Sequence, residues 1–359
     1  MQAIIMAGGE GTRLRPLTEY LPKPLIPLLD EPVVGCTLQL LRRHGIREAT
    51  MTLRCRPELI RCAMGDGTPW GISMTYAEET EPLGTAGSVR QAAREGETLL
   101  VLSGDVLTDC DLSAMMAYHR QSGAAATIAL TEVEHPAAYG VCRVDEEGRI
   151  ISFVEKPGCD APPQGLVNAG IYLLEPSVLA GIPAGAPWDF GRDVFPRMIA
   201  SGARIAGYPM RGYWRDIGCP EQYARAQEDF LMGRVGLTLR GRRVGRAILA
   251  PGAVVSPGAR ITGRCYIGAH ARIGAGAVIG PGTVISRNAQ VSGSVHIEHA
   301  CLWPDARAEG DAILRGVVVM PVPGNAALQR MAPYPVPDDE TCQRERGLTA
   351  TTSLHIMRT

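Results

Sequence analysis

The chain carries 34 arginines but only two lysines, Lys23 and Lys156, and each is followed by proline, in LPKPL and VEKPG. Exposed positions accept either cation, so the two exceptions point to places where the shape of the charge matters. An ammonium is a compact point charge with rotatable donors, whereas a guanidinium is a wide planar fork. Upstream of Lys23, the apolar stretch QAIIM runs into AGGEGTRLRPLT. A glycine-rich turn after a buried strand suits phosphate, because bare backbone N–H groups can approach an anion closely. This one is not a Walker A loop, since Gly11 is followed by Thr12 and Arg13. Nor is it a dinucleotide fingerprint, which needs a third glycine where Leu14 stands. Pro16, Pro22, Pro24 and Pro27 argue against a helix directly behind it, so positive charge must come from Arg13, Arg15 and Lys23. That composite suits a polyphosphate. Asp105 closes the apolar run TLLVLSGD, and a carboxylate there emerges at the carboxyl edge of a sheet, where α/β proteins bind ligands. A strand-end aspartate can equally cap a turn, and the residues alone leave both readings open.

The elements that must position these groups fall into two halves with different patterns. From Met1 to about Met232, strand-like runs (QAIIMAG, ATMTLRC, TLLVLSGD, ATIALTEV) alternate with helical ones (Pro32–His44, SVRQAARE, DLSAMMAYHRQSG, PEQYARAQEDFLMG). This alternation predicts an α/β domain on a mostly parallel sheet, with a strand-rich α+β extension over Tyr139–Ile217. From Leu249 aliphatic residues recur every six positions: Leu249, Val255, Ile261, Ile267, Ile273, Ile279, Ile285, Val291 and Ile297, with Trp303 next in step. Four residues after each stands a small or β-branched side chain, from Ala253 through Cys265 and Thr283 to Cys301. Two periodicities in phase are the signature of a hexapeptide-repeat parallel β-helix; with three faces per coil, the units make about three coils. The expected organisation is therefore a domain over residues 1–232, a linker over 233–243, a β-helix over 244–320 and a Pro-rich tail over 321–359. For the tail, a strap on the β-helix and a partly disordered end are both open.

Composition excludes some partners. A net charge of −1 gives no electrostatic reason to expect nucleic acid or an anionic membrane. No apolar run approaches the ~20 residues of a membrane helix, and MQAIIMAGGEG lacks a basic leader, so a cytoplasmic protein is expected. The ten cysteines form no CxxC pair; Cys36, Cys142, Cys265 and Cys301 sit in apolar segments and read as buried free thiols.

The segment MAGGEGTRLRPLTEYLPKPLIP resembles the signature of the sugar-1-phosphate nucleotidyltransferases, the nucleotide-sugar pyrophosphorylases. PLGTAGSVR (Pro82–Arg90), LSGDVLTD (Leu102–Asp109), YGVCRVDEEGRIISFVEKP (Tyr139–Pro157), VNAGIYLLEP (Val167–Pro176) and YWRDIG (Tyr213–Gly218) follow in family order. The resemblance covers residues 1–232, with a hexapeptide domain as the usual companion, and is strongest to bacterial mannose-1-phosphate guanylyltransferases. It implies a Rossmann-like, GT-A-like α/β domain with a mixed sheet, followed by a left-handed parallel β-helix. The implied reaction is attack of a sugar 1-phosphate on the α-phosphorus of a nucleoside triphosphate, most similar to GTP plus mannose 1-phosphate giving GDP-mannose and pyrophosphate. Mg²⁺ is the implied cofactor, held by Asp105 and Asp216. By the same resemblance Ala7, Gly8, Gly9, Gly11 and Thr12 cradle the triphosphate, Arg13 meets the β- and γ-phosphates, and Lys23 reaches the α-phosphate. Lys156 holds the sugar phosphate, Glu155 and Asn168 bind sugar hydroxyls, and the backbone of Gly140 closes over the ring. Gly84 and Thr85 meet the base edge, and Glu81 accepts from guanine N1–H and N2–H₂.

Two departures stand out: EETEPLGTAG is one residue longer than the family wording, and Ser103 stands where many relatives carry asparagine. Three rival readings remain. The first is the same chemistry on another base or sugar, as in glucose-1-phosphate uridylyl-, adenylyl- or thymidylyltransferases. The second is a non-catalytic regulatory subunit, against which Arg13, Lys23, Asp105, Lys156 and Asp216 are all present. The third is an acyltransferase on the β-helix, using His270, His296 or His299. The open ends of a β-helix favour homo-oligomerisation as its role instead.

Overall fold

The computed structural model of the 359-residue chain describes residues 1–239, 241–322, 325–333 and 356–358. The chain packs as two compact units. The first comprises Met1–Glu10, Pro22–Leu25 and Val33–Asp216; the second comprises Gly11–Leu21, Ile26–Pro32 and Ile217–Thr359. The residues expected in one domain over 1–232 divide between the two units, because two pieces of the N-terminal signature and the segment from Ile217 to Met232 pack with the repeats. Pro22–Leu25, which carries Lys23, stays with the first unit.

In chain order the first unit holds β1 (Gln2–Met6), α1 (Val33–Arg43), β2 (Glu48–Leu53), α2 (Pro57–Met64), β3 (Ser73–Glu78), α3 (Gly84–Ala92), β4 (Leu99–Ser103), β5 (Val106–Thr108) and α4 (Leu112–Ser122). It continues with β6 (Ala126–Glu134), β7 (Gly140–Val144), β8 (Ile150–Glu155), β9 (Gln164–Leu174), β10 (Ile205–Pro209) and β11 (Trp214–Asp216). One nine-stranded sheet runs β8-β7-β9-β4-β1-β2-β3, with β6 joined to β9 and β10 to β6. β1 lies parallel to β2 and β4, whereas β9 is antiparallel to β4, so the sheet is mixed. Every residue of β1 except Met6 and of β4 except Ser103 is buried, as befits parallel strands covered on both faces. The register sets Met6 opposite Ser103 and Thr52, which brings the carboxyl ends of three strands to one edge. Three of the four phenylalanines are spent on one cluster, where Phe190 and Phe195 pack on Tyr172 of β9 and on each other and Phe153 packs on Phe195, with ring centroids 5.2–5.5 Å apart.

The second unit contains the repeats as stacked parallel strands in three sheets. Cys265 pairs with Ala247 on one side and Thr283 on the other, a spacing of eighteen residues, which is three hexapeptides per coil. Ile267, Ile273, Ile279, Ile285, Val291 and Ile297 fill the interior with Ala271, Ala277, Ala289 and Val295. The expected phase then fails. Ile285 pairs with Leu302 and Val291 with Ala308, a spacing of seventeen, so one residue is missing between Ile297 and Leu302. Ala300 and Leu302 therefore take the interior positions expected for Cys301 and Trp303. The repeat also continues at the shorter spacing through Val318 and Val319, giving four coils among the described residues where about three were expected.

The displaced side chains are not wasted. Trp303 is fully buried and donates from Nε1 to the Tyr223 hydroxyl, 3.0 Å away. Tyr223 belongs to α5 (Pro220–Met232), which opens with proline at its first position and closes on Gly233 at φ 73°. The same hydroxyl donates to Pro27 O at 2.8 Å, and Gln227 Oε1 accepts from Leu29 N at 2.8 Å. Past the last coil, Val317–Val322 turns back against Asn325–Pro333 in an antiparallel pair, joined by Ile356–Arg358. The rest of the tail expectation lies outside the described residues. The nine described cysteines are all free, Cys36, Cys142, Cys265 and Cys301 among the buried ones, and burial pushes the last three thiols up to about 12.

Asp30 is the polar anchor of this unit. Its carboxylate accepts from Arg287 N (2.6 Å), Ala269 N (2.7 Å) and the Tyr266 hydroxyl (3.0 Å). Asp30→Ala removes the shared acceptor of three hydrogen bonds and is expected to destabilise the second unit by about 3 kcal/mol, read as a lowered midpoint of its transition in a denaturant titration.

Candidate active site

The site is built at the carboxyl edge of the sheet. Beyond Ser103 the chain passes through Gly104, whose N–H donates to Met6 O at 2.9 Å. A Cβ on Gly104 would stand 2.9 Å from that same oxygen, so only glycine lets the end of β4 lie this close to the end of β1. Asp105 follows and is thereby set beside the turn that leaves β1. Asp216 ends β11, which pairs antiparallel with β5 and sets Asp216 opposite Val106. The two carboxylates converge on one cation: Lys23 Nζ lies 2.5 Å from Asp105 Oδ2 and 3.7 Å from Asp216 Oδ1. Lys23 is only 8% exposed.

Asp105 also lines a cavity of about 300 Å³. Its other walls include Gly8 and Gly9 from the turn after β1, Gly84 and Thr85 at the start of α3, and Ser103. Of the remaining cradle residues, Ala7 is buried, with its N–H on Thr52 O. Gly11, Thr12 and Arg13 belong to the second unit, where Thr12 and Arg13 are exposed on a short 3₁₀ turn.

The cavity contains acidic residues that the sequence reading did not assign. Glu79 lines it, whereas Glu81, the expected base contact, is exposed and not among the lining residues. Glu79 Oε2 accepts from Leu83 N at 3.2 Å, and its Oε1 faces Gly8. Burial pushes its carboxyl up, against the Leu83 hydrogen bond and the Arg54 charge. The rule that singled out Asp105 applies equally here, since Glu79 directly follows the parallel strand β3. Asp189 is the second addition, and PWDFGRD gave no signal for it. Its Oδ2 accepts from the Thr85 hydroxyl at 2.8 Å, and Thr85 Oγ1 accepts from Phe190 N at 3.0 Å. The Thr85 hydroxyl is thus committed inside the protein, and the backbone of Gly84 and Thr85 is what this loop offers to a ligand.

A second cluster gathers the residues expected at the sugar phosphate. Gly140 and Glu155 sit opposite each other across β7 and β8. Lys156 follows in a left-handed conformation at φ 50°, with Nζ 3.1 Å from Glu155 Oε1. Its side chain is 55% exposed, whereas Lys23 is buried. Asn168 stands at a bulge in β9, donating to the Tyr172 hydroxyl and accepting from Gly170 N, each at 2.9 Å. The same bulge reaches the first cluster, because Ala169 O accepts from Trp214 Nε1 at 2.9 Å, two residues before Asp216.

Comparison with known proteins agrees with this arrangement. The family model described as nucleotidyl transferase matches residues 2–232. The chain belongs to the nucleotidyl transferase family. It is a sugar-1-phosphate nucleotidyltransferase by its relatives. It is 36% identical over 257 residues to the mannose-1-phosphate guanylyltransferase of Mycobacterium tuberculosis, covering 70% of this chain and 71% of that one. It is also 36% identical over 241 residues to the UTP–glucose-1-phosphate uridylyltransferase of a Synechocystis species, covering 63% and 62%. Among solved structures, HddC from Yersinia pseudotuberculosis in complex with GMP-PN matches with a TM-score of 0.56 at 26% identity, over 64% of this chain and 99% of that one. No helix among the described residues is long and apolar enough to cross a membrane.

For this nucleotidyltransferase, two carboxylates aimed at one cationic point form a donor set suited to Mg²⁺, which takes one or two protein carboxylates and completes its shell with phosphate and water. The buried position of Lys23 yields a sharp expectation. Lys23→Arg should lower kcat/KM at least about thirtyfold, or ~2 kcal/mol, the size of one misplaced preorganised charge. Steady-state kinetics checks it, and near wild-type turnover would show that the narrow ammonium is dispensable.

Proposed function

We propose that the chain joins GTP and mannose 1-phosphate to give GDP-mannose and pyrophosphate. The observation that carries the base assignment is Glu79: a carboxylate in the cavity wall, beside the glycine turn and near Gly84. Guanine offers two adjacent donors, N1–H and N2–H₂, that one carboxylate accepts together. Uracil has one donor on that edge, flanked by carbonyl oxygens that a carboxylate repels. The mycobacterial relative and the GMP-PN complex support the same reading.

In the reaction a sugar-phosphate oxygen, already anionic, attacks the α-phosphorus; one P–O bond forms while the bond to the departing pyrophosphate breaks. No proton must be removed from the nucleophile, so the task is to hold two anions together and to meet the charge on the pentavalent centre. Gly8 and Gly9 present backbone N–H groups to the triphosphate, and Lys23 supplies positive charge at the α-phosphoryl group. Lys156 holds the phosphate of the sugar, and Glu155 and Asn168 orient its hydroxyls. Asp105 and Asp216 would hold Mg²⁺, which when bound neutralises phosphate oxygens. For the β-helix we assign self-association. Val244 on the antiparallel strand before the coils, Val254 on the first coil and Ile313 on the last are exposed, and light scattering of the intact chain is expected to give a mass above that of one chain.

Pyrophosphate release across four nucleoside triphosphates and several sugar 1-phosphates tests the assignment. GTP with mannose 1-phosphate is expected to be fastest; a faster UTP–glucose 1-phosphate pair would replace this reading. Glu79→Gln should cut the preference for GTP over UTP roughly thirtyfold, about 2 kcal/mol for hydrogen bonds to a charged acceptor. Only the ionised carboxylate accepts both bonds, and its pKa is raised. The KM for GTP should therefore rise as pH falls through that raised pKa, and Glu79→Gln should remove this dependence.

A further inference from the structure

One short segment of the first unit touches both the nucleotide cavity and the Glu155 cluster. It runs from Trp188 into a single π-helical turn, Phe190–Val194, a rare element that recurs at functional sites. On the nucleotide side it is pinned by hydrogen bonds. Trp188 O accepts from Ala86 N and Gly87 N, Trp188 N donates to Leu83 O, and Asp189 takes the Thr85 hydroxyl. Asp189 also fixes the turn itself, its Oδ1 accepting from Gly191 N at 2.9 Å and Arg192 N at 3.1 Å. Beneath, Phe190 is clamped between Tyr172 and Phe195, and Arg197 lies 4.4 Å over the Trp188 ring. The segment therefore has little freedom to move.

On the other side it meets Glu155 at Gly191. A Cβ on Gly191 would stand 2.6 Å from Glu155 Oε2 and 3.1 Å from its carboxyl carbon. A Cβ on Gly140 would stand 2.9 Å from that same oxygen. The Glu155 carboxylate thus lies between two glycines, one of them on the segment that holds Thr85, with the Phe153 ring beside both: Cζ is 2.6 Å from the Gly140 Cβ position and Cε1 is 3.2 Å from that of Gly191, where the carboxylate is the nearer neighbour. Gly191 has no left-handed φ to explain it, so the reason for glycine here is the space alone.

We propose that Gly191 is a specificity-positioning residue: its missing side chain fixes where the Glu155 carboxylate sits, and Asp189 ties the same backbone to the nucleotide loop at Thr85. The segment from Trp188 to Val194 then sets the distance between the group that chooses the sugar and the loop that meets the base. This rests on the reading of Glu155 as a ligand of the sugar hydroxyls.

The test is a double-mutant cycle on the full chain, with Gly191→Ala, Glu155→Ala and both together, assayed with GTP and mannose 1-phosphate or whichever pair is fastest. Gly191→Ala should raise the sugar 1-phosphate KM about tenfold or more, the cost of misplacing a charged hydrogen-bond partner, and leave the nucleotide KM within about twofold. In the Glu155→Ala background the same change should add nothing, because the group it displaces is gone. An undiminished effect in that background, or a parallel rise of both KM values, would make Gly191 a purely structural residue and overturn the proposal. A normal sugar KM in Gly191→Ala with a raised one in Glu155→Ala overturns the positioning role and leaves the Glu155 reading standing. A normal sugar KM in Glu155→Ala removes that reading and the proposal with it. Should Gly191→Ala fail to fold, the double variant decides: it lacks the carboxylate that the methyl group would strike, and is expected to fold and to match Glu155→Ala. Its failure to fold would overturn the proposal.

Discussion

The ammonium of Lys23 between Asp105 and Asp216 is the interaction on which the site depends. One ammonium offsets the mutual repulsion of two carboxylates that approach it, and each carboxylate comes from a different part of the chain. Asp105 arrives from the end of β4 through the close approach at Gly104, and Asp216 from β11 through its pairing with β5. Lys23 is buried whereas the Asp105 and Asp216 side chains are partly exposed, so removing one carboxylate leaves the ammonium under-compensated at a cost of about 1–3 kcal/mol. The groups that would meet the phosphates therefore also hold together the strand ends that present them. A site of this kind is preorganised by its own electrostatics, and the prolines flanking Lys23 stiffen the segment that delivers it.

The sheet distributes the remaining tasks along one edge. Parallel strands β1, β2, β3 and β4 end at the cavity, where backbone N–H groups and two acidic side chains are available to a nucleotide. Antiparallel strands β7, β8 and β9 turn Gly140, Glu155 and Asn168 toward the second cluster. The change from parallel to antiparallel pairing falls between β4 and β9, and the bulge at Asn168–Gly170 lies beside it. A bulge re-aims side chains that a regular strand would send to opposite faces. Here Asn168 stays hydrogen-bonded within its own strand while Ala169 O accepts from Trp214, which belongs to the strand ending in Asp216.

Much of this was legible in the residues, and the exceptions have physical causes. The apolar runs located the strands and the edge rule located Asp105. The same rule, applied to the residue after β3, points to Glu79. Glu81 drew attention through its place next to PLGTAG, but adjacency in sequence is a poor guide in a turn that reverses direction over a few residues. Asp189 was invisible because its importance lies in what it holds, Thr85 and the π turn, from far along the chain. In the second unit the six-residue period identified the β-helix, yet it could not reveal the missing residue after Ile297. Cys301 and Trp303 are apolar enough to satisfy either phase. Only the pairing of Ile285 with Leu302 shows that they have rotated outward to receive α5.

That rotation also separates two uses of buried polar groups in this chain. At Trp303, Tyr223 and Gln227 the hydrogen bonds close on one another and on the backbone of Pro27 and Leu29. Every capacity shown is matched, which is the economy of a structural network. At the sheet edge the balance is different. Glu79 has one oxygen on Leu83 N and the other turned toward the glycine turn, in surroundings that raise its pKa. Asp105 offers one oxygen to Lys23 and stands in the cavity wall. Acceptors held in place by one partner and aimed at open space by another are costly in a fold with no ligand to meet, because each is partly desolvated without full repayment. The chain concentrates that cost at the carboxyl edge of one sheet, next to its only buried lysine, and this is the arrangement a transfer between two phosphorylated substrates requires.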